Sequence, residues 1–148
     1  MNNVQYIIYT DGACLGNPGP GGWGVIIFDQ KLKKKKKMSG SEISTTNNRM
    51  ELIAVIKALN FIPKKCDIKI YTDSKYVING IQTWVIKWKK NNWLGSNKKT
   101  VKNKDLWLIL DKLVQQYAIK WEWVKGHSGD KYNEEADQLA KNEALKLN

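Results

Sequence analysis

Two aspartates follow nearly identical segments of this chain and could share one site. Asp11 ends IIYTD at 7–11, and Asp73 ends KIYTD at 69–73. If these two strands pair in parallel, both carboxylates lie at one edge of the sheet, where open α/β sheets bind ligands. Either aspartate alone would more commonly begin a turn or cap a helix. The repeated context favours a shared site.

Glu51 and Asp137 are candidates to join this site from two helices. Glu51 lies in TTNNRMEL at the start of a predicted helix, at the margin of its apolar stripe. An alternative role for Glu51 is a capping box with Asn48. Asp137 lies at the edge of the apolar stripe of the last helix, although solvation is the usual state of a helical aspartate.

Four clustered carboxylates predict a metal site, because divalent cations remove their mutual repulsion. Mg²⁺ prefers oxygen ligands and retains several waters. Two such ions ~4 Å apart activate a water and stabilise the leaving oxygen of a phosphodiester. His127, the only histidine, lies in KGHSGD. Its pKa range suits proton transfer, but a lone loop histidine is more often a surface residue.

The charge of the chain indicates a polyanionic partner. Its 148 residues carry a net charge of +11, with Arg49 as the only arginine. Lysine is a point charge without the bidentate fork of arginine, so backbone contact is favoured over base reading. Drift toward a composition rich in lysine and asparagine would also raise the charge. The dense run at 31–37, with six lysines, is interpreted as a solvated hairpin.

The elements that must position these residues follow from periodicity and turn signals. The order βββαβααβα predicts an α/β fold with a mixed sheet. Predicted strands are 4–10, 23–28, 38–44, 68–72 and 119–123; predicted helices are 52–62, 74–92 with an interruption near Gly80, 103–117 and 133–147. The segment 12–22 is predicted to be a turn.

Composition and cysteine use predict a cytoplasmic protein. No apolar run approaches the ~20 residues that cross a bilayer, and the start of the chain lacks the features of a signal peptide. Cys14 and Cys66 form no metal-binding spacing. We therefore expect reduced thiols and no membrane partner.

Four segments resemble the type 1 ribonuclease H family of the bacterial single-domain kind. They are YTDGACLGNPGPGGWG (9–24), TTNNRMEL (45–52), YTDSKYV (71–77) and WVKGHSGDKYNEEADQLA (123–140). The resemblance covers nearly the whole chain. It implies the ribonuclease H-like fold, a five-stranded mixed sheet flanked by helices. It also implies one domain over 1–148 with a basic protrusion at about 81–104.

The resemblance also implies an activity. Asp11, Glu51, Asp73 and Asp137 would hold two Mg²⁺ ions, for which Mn²⁺ can substitute, and Asp11 would bridge them. His127 would assist proton movement or product release. The reaction implied is endonucleolytic cleavage of the RNA strand of RNA–DNA hybrids, leaving 5′-phosphate and 3′-hydroxyl ends. Removal of replication primers and R-loops follows from this, and a monomer is expected.

Substrate contacts are likewise carried over from the family. RNA 2′-hydroxyls would meet the Cys14 and Asn17 region and Asn48 with Glu51, and Asn47 would touch both strands. Thr46 and Asn103 match the positions of a DNA phosphate pocket. The protrusion would grip DNA through Trp84, Lys87, Lys89 and Lys90, because aromatics interleaved with cations suit nucleic acid. Trp88 is interpreted as packing.

Three other protein classes fit less well. A transposase or integrase core usually needs further DNA-binding and multimerisation regions, for which 148 residues leave no room. A non-catalytic nucleic-acid-binding module is the main alternative. Such a module would be expected to lack one or more of the carboxylates, and all four are present in this sequence. A membrane-surface protein would have a basic amphipathic helix with an exposed apolar face, whereas the basic stretches here contain aromatics of the predicted core or lie in loops.

Overall fold

A five-stranded sheet with the order β3-β2-β1-β4-β5 forms the centre of the computed structural model, which describes residues 4–126 and 130–147. The first three strands are antiparallel neighbours, while β4 pairs in parallel with both β1 and β5. This confirms the predicted mixed sheet. The strands are β1 (Tyr6–Cys14), β2 (Gly19–Asp29), β3 (Lys34–Thr45), β4 (Asp67–Thr72) and β5 (Ala118–Trp123).

Helices follow the predicted order. They are α1 (Asn47–Phe61), α2 (Lys75–Asn79), α3 (Val85–Lys90), α4 (Lys104–Val114) and α5 (Lys131–Leu145). A π-helical segment, Gly80–Trp84, joins α2 to α3, so the two form one interrupted helix, as predicted near Gly80. No helix within the described ranges is long and apolar enough to cross a membrane.

The interruption at Gly80 coincides with a close packing contact. A Cβ on Gly80 would lie 2.0 Å from the ring of Trp107, which is fully buried on α4. Only glycine therefore allows this helix to approach the indole. The same indole donates a hydrogen bond from Nε1 to the Tyr76 hydroxyl at 3.0 Å.

Opposite faces of the sheet are covered by α1 and α5. A Cβ on Gly21 of β2 would meet Met50 of α1 at 2.9 Å, whereas one on Gly22 would meet the Ala140 carbonyl of α5 at 2.2 Å. Successive residues of a strand point to opposite faces, so the sheet is sandwiched between the two helices. The core on the α1 side includes Ile8, Val25, Leu59, Ile70 and Leu110, all fully buried.

Several predicted boundaries were wrong. The segment 12–22 is not a single turn: β1 continues to Cys14 and β2 begins at Gly19, because Gly21, Gly22 and Gly24 lie against helices. α4 ends at Val114 rather than residue 117, and α5 begins at Lys131 rather than residue 133. The start of α5 is set by Asp130, whose Oδ1 accepts hydrogen bonds from the Tyr132 and Asn133 N–H groups at 3.1 and 3.0 Å.

The lysine run at 31–37 lies in the hairpin between β2 and β3 and is exposed throughout, which confirms the prediction of a solvated hairpin; residues 30–33 form its turn and the rest of the run begins β3. Lys35 and Lys37 both pair with Glu135 of α5, at 2.8 and 2.9 Å. The ammonium of Lys36 lies 5.0 Å from the ring centre of Phe61. β3 is an edge strand, and lysines on such a strand oppose pairing with another chain.

Candidate metal centre

The repeated YTD segments are register partners in parallel strands. Tyr9 of β1 stacks on Tyr71 of β4 with ring centres 4.7 Å apart and planes 8° apart. The next pair, Thr10 and Thr72, is fully buried. Asp11 and the residue after Thr72, Asp73, therefore emerge at the same edge of the sheet, as the sequence predicted.

Glu51 reaches this edge because the start of α1 lies directly on β1. A Cβ on Gly12 would be 2.5 Å from the Glu51 nitrogen and 2.6 Å from the Met50 carbonyl carbon, so glycine permits the approach. Thr46 caps α1, its Oγ1 accepting a hydrogen bond from the Arg49 N–H at 3.2 Å. The capping box of Asn48 with Glu51 was therefore a wrong alternative.

Three carboxylates form a compact, largely dry cluster. Asp11, Glu51 and Asp73 each present an oxygen that lies within 4.8 Å of the other two. Asp11 is 2% exposed and Glu51 5%. The Gly12 N–H donates to Asp11 Oδ1 at 2.9 Å. Asp11 Oδ2 and Glu51 Oε1 are buried and have no hydrogen-bond partner.

Burial and mutual repulsion disfavour charge at this cluster. Burial, followed by the nearby Asp73 carboxylate, raises the pKa of Asp11 to about 9. Burial, followed by the charges of Asp11 and Asp73, raises the pKa of Glu51 well above its ordinary value. Orphaned, buried carboxylate oxygens that converge in this way fit a hard divalent cation, which would supply the missing positive charge.

Asp137 lies beside this cluster on α5. The close contact of α5 with β2 positions it, because a Cβ on Gly24 would be 2.4 Å from the Ala136 carbonyl oxygen. The Asp137 carboxylate contributes to the raised pKa of Asp11, although less than burial and Asp73 do. It also pairs with Lys141 one turn later, at 3.0 Å. The predicted fourth carboxylate is thus near Asp11 but outside the set of three. His127 lies outside the described residues.

The loop between β1 and β2 is joined to the start of α1, which brings together the predicted RNA contacts. Asn17 Oδ1 accepts a hydrogen bond from the Asn47 N–H at 2.9 Å. The Cys14 thiol lies 3.4 Å from the Thr45 carbonyl oxygen. Asn17, Asn47 and Asn48 are exposed. The structure therefore gathers these residues on one accessible surface.

The predicted phosphate-pocket residues Thr46 and Asn103 also carry structural hydrogen bonds. The Thr46 side chain caps α1, as described above. Asn103 Oδ1 accepts from the Arg49 guanidinium at 3.2 Å, and its Nδ2 donates to the Tyr76 hydroxyl at 3.1 Å. Arg49 makes two further bonds to Asp105, at 3.0 and 2.8 Å. Sequence reasoning missed this link between α1 and α4, which no local spacing indicates.

The basic stretch after β4 combines packing with exposed charge. Trp84 and Trp88 are both half-buried against the core, so Trp84 also packs rather than only facing solvent. Lys87 and Lys90 are exposed, while Lys89 pairs with Asp111 at 3.3 Å. A cavity of about 750 Å³ is lined by these tryptophans and by residues 87, 90–92, 94–96 and 98.

Trp123 is a further residue at this edge that the sequence reasoning used only as part of a strand. Its indole Nε1 donates to the Asp73 carbonyl oxygen at 3.2 Å. Alternation in WEW predicts the strand but does not reveal that an indole turns toward the site.

Comparison with known proteins agrees with this arrangement. The RNase H family model matches residues 3–145. The ribonuclease H of Wolbachia pipientis wMel is 56% identical over 141 residues, covering 95% of this chain and 96% of that protein. The ribonuclease H of Francisella philomiragia subsp. philomiragia is 58% identical over 139 residues, covering 94% and 89%.

Solved structures share the fold. LC9-RNase H1, described as a type 1 RNase H with the type 2 active-site motif, superposes with a TM-score of 0.87 and 31% identity, covering all of this chain and 75% of that one. LC11-RNase H1, solved in complex with an RNA/DNA hybrid, has a TM-score of 0.68 and 24% identity, covering 95% and 97%. The second likeness shows the fold alone.

Proposed function

The chain belongs to the ribonuclease H family, and on that premise we propose that it cuts the RNA strand of RNA–DNA hybrids internally, leaving 5′-phosphate and 3′-hydroxyl ends. The observation that carries this proposal is the buried cluster of Asp11, Glu51 and Asp73, with its two orphaned oxygens, at the edge of the sheet. The net charge of +11 would attract a polyanion to this edge.

Mg²⁺ is the cofactor that these residues fit, with Mn²⁺ as a substitute. Asp11, Glu51 and Asp73 would hold the ions, with Asp137 as a fourth ligand and Asp11 as the shared one. When bound, a pair of such ions would activate a water and stabilise the leaving oxygen of the phosphodiester. All four ligands are carboxylates, which favours Mg²⁺ or Mn²⁺ over softer metals.

The protein's own groups prepare the site. The Gly12 N–H donates to Asp11 Oδ1 and so orients this carboxylate, and the burial of Asp11 and Glu51 makes their charged forms costly without a cation. Lys141 restrains Asp137 through their ion pair. His127 would move a proton or assist product release, since its ordinary pKa lies near neutrality.

Selectivity for a hybrid requires groups that read both strands. The Cys14 and Asn17 region and Asn48 with Glu51 would meet RNA 2′-hydroxyls, a group that only RNA carries. Exposed Asn47 would touch both strands. For the DNA strand, Thr46 and Asn103 would bind a phosphate. The basic protrusion at about 81–104 would grip the backbone through Trp84, Lys87, Lys89 and Lys90.

Wider properties of the protein belong to the same proposal. A single domain over 1–148 would act as a monomer in the cytoplasm, on hybrids that arise in DNA replication or as R-loops. The match to Ribonuclease H proteins along nearly their whole length supports the single domain.

The proposal is tested with four labelled substrates: an RNA–DNA hybrid, single-stranded RNA, duplex RNA and duplex DNA. Each is incubated with Mg²⁺ or EDTA, with wild-type protein or Asp11→Asn. We expect cleavage of the hybrid's RNA strand alone, only with metal and only by the wild type. Binding of all four substrates without cleavage in Mg²⁺ or Mn²⁺ would instead identify a non-catalytic nucleic-acid-binding module.

A further inference from the structure

The segment that follows β5 is fastened to the end of β4 at several points. The Val124 N–H donates to the Thr72 carbonyl oxygen at 2.9 Å, which extends the β4–β5 ladder by one bond. One residue earlier, the Trp123 indole N–H donates to the Asp73 carbonyl oxygen at 3.2 Å. These contacts hold the two peptide groups that flank the Cα of Asp73.

Gly126 approaches the Asp73 side chain from the same segment. A Cβ at Gly126 would lie 3.0 Å from Asp73 Oδ2 and 3.8 Å from its Cγ. A methyl group there would press on the carboxylate oxygen itself, since ordinary carbon contacts are about 3.5–4.0 Å. Gly126 therefore lies against the Asp73 carboxylate, while the indole hydrogen bond holds the main-chain carbonyl of the same residue.

The Trp123 ring is itself restrained. The ammonium of Lys75, at the start of α2, lies 4.7 Å from its centre, a distance typical of a cation–π contact. Trp123 is 44% exposed, so burial alone does not fix the position of its ring. The hydrogen bond to Asp73 and the contact with Lys75 together orient the indole at the sheet edge.

We propose that Trp123 and Gly126 form a clamp that positions the Asp73 carboxylate for metal binding. Trp123 is a positioning residue, and Gly126, which has no side chain, leaves room for the carboxylate. The inference rests on the proposed role of Asp73 as a metal ligand. It predicts that loss of the indole N–H weakens metal binding without weakening substrate binding, because Trp123 acts only through Asp73.

Trp123→Phe is the direct test, since phenylalanine keeps an aromatic ring for Lys75 but has no N–H donor. Trp121→Phe is the matched control: it removes an indole from the same strand, but Trp121 packs against the core. Mg²⁺ binding is measured by calorimetry without substrate, alongside kcat and KM on a hybrid and thermal unfolding. A single hydrogen bond that competes with water predicts about a threefold loss of Mg²⁺ affinity and of kcat.

The expected result is that Trp123→Phe shows this loss with KM unchanged, while Trp121→Phe lowers thermal stability but binds Mg²⁺ like the wild type. Equal losses of Mg²⁺ affinity in the two variants would overturn the proposal, because they would indicate a general effect on the fold. Wild-type Mg²⁺ affinity in Trp123→Phe would overturn it as well.

Gly126→Ala keeps the proposal falsifiable if Trp123→Phe does not fold. This variant retains the indole bond and places a methyl group against Asp73 Oδ2, so Mg²⁺ affinity should again fall. Unchanged affinity in Gly126→Ala would refute the clamp. Because calorimetry needs no substrate, a wild type that binds Mg²⁺ but cuts no hybrid would refute the proposed function alone. A wild type that cuts normally, with unchanged metal binding in the variants, would refute only the clamp.

Discussion

Gly12→Ala should separate the chemistry of the site from the stability of the fold. Gly12 is buried in β1, and its Cβ would lie 2.5 Å from the Glu51 nitrogen and 2.6 Å from the Met50 carbonyl carbon. Both atoms belong to helical backbone and cannot rotate aside. Ordinary contact begins near 3.5 Å, so the start of α1 must move by about 1 Å.

That displacement carries Glu51 away from Asp11 and Asp73. A misplacement of about 1 Å at a reacting centre lowers rates by about 100-fold, and overpacking a core costs about 1–3 kcal/mol of stability. We therefore expect kcat on a hybrid to fall about 100-fold in a protein that is still folded. Cleavage rates are measured in Mg²⁺ at a temperature where chemical denaturation shows the variant to be folded.

Leu110→Ala is the matched control. Leu110 is fully buried on α4, which supplies none of the four carboxylates. Its truncation should cost about 2–5 kcal/mol, at least as much stability as Gly12→Ala, yet leave kcat per folded molecule near the wild-type value. A Gly12→Ala protein that cuts at nearly the wild-type rate would refute the reasoning. So would an equal loss of kcat in Leu110→Ala.

Three further predictions follow from charges. Asp11→Asn should abolish cleavage and raise the melting temperature of the metal-free protein. Because burial raises the pKa of Asp11 to about 9, its contribution to stability is complete only below its unfolded pKa of about 4 and is lost as the pH rises toward 9. The gain in melting temperature, measured by calorimetry, should therefore grow between about pH 4 and pH 9. An unchanged melting temperature at pH 8 would contradict the burial argument. Asp105→Asn should lower the melting temperature at pH 7, since hydrogen bonding to Arg49 lowers the pKa of Asp105. The stability that such a group contributes is lost as the pH falls through its folded pKa, so the melting temperatures of wild type and variant should converge below about pH 4. A difference in melting temperature that does not change with pH would exclude the ion pair as its cause. Replacing both Lys87 and Lys90 by alanine should make the plot of log binding constant against log salt concentration shallower by about 2. Binding to a hybrid is measured by fluorescence anisotropy, and an unchanged slope would show that these lysines contact no phosphate.

Much of the site was predictable because its signals are local. Parallel pairing of the two YTD strands places equivalent side chains at equivalent positions, so Asp11 and Asp73 had to share an edge once the strands were neighbours. The start of a helix near Glu51 and the apolar stripe beside Asp137 likewise depend on residues within a few positions. The order of strands and helices was also predictable, because apolar residues repeat every 2 residues in a strand and every 3.6 residues in a helix.

Local pattern failed where a contact between distant segments decided the outcome. The glycines of 12–22 were predicted to form a turn, but most of them belong to β1 and β2, which lie close to α1 and α5. The lysine run forms the predicted solvated hairpin, but its ion pair with Glu135, about a hundred residues later, and its contact with Phe61 were not predicted. Neither contact produces a pattern among neighbouring residues from which it could be predicted.

By itself, the sequence determined which carboxylates were available and which strands and helices carried them. Only the tertiary structure decided that Asp11 and Glu51 are dry, that their oxygens converge with Asp73, and that the Trp123 indole reaches the Asp73 backbone. The physical reason is that burial and electrostatic repulsion depend on distances between segments far apart in the chain. Those distances are set by how closely backbones approach, and at Gly12 and Gly24 the absence of a side chain permits that approach.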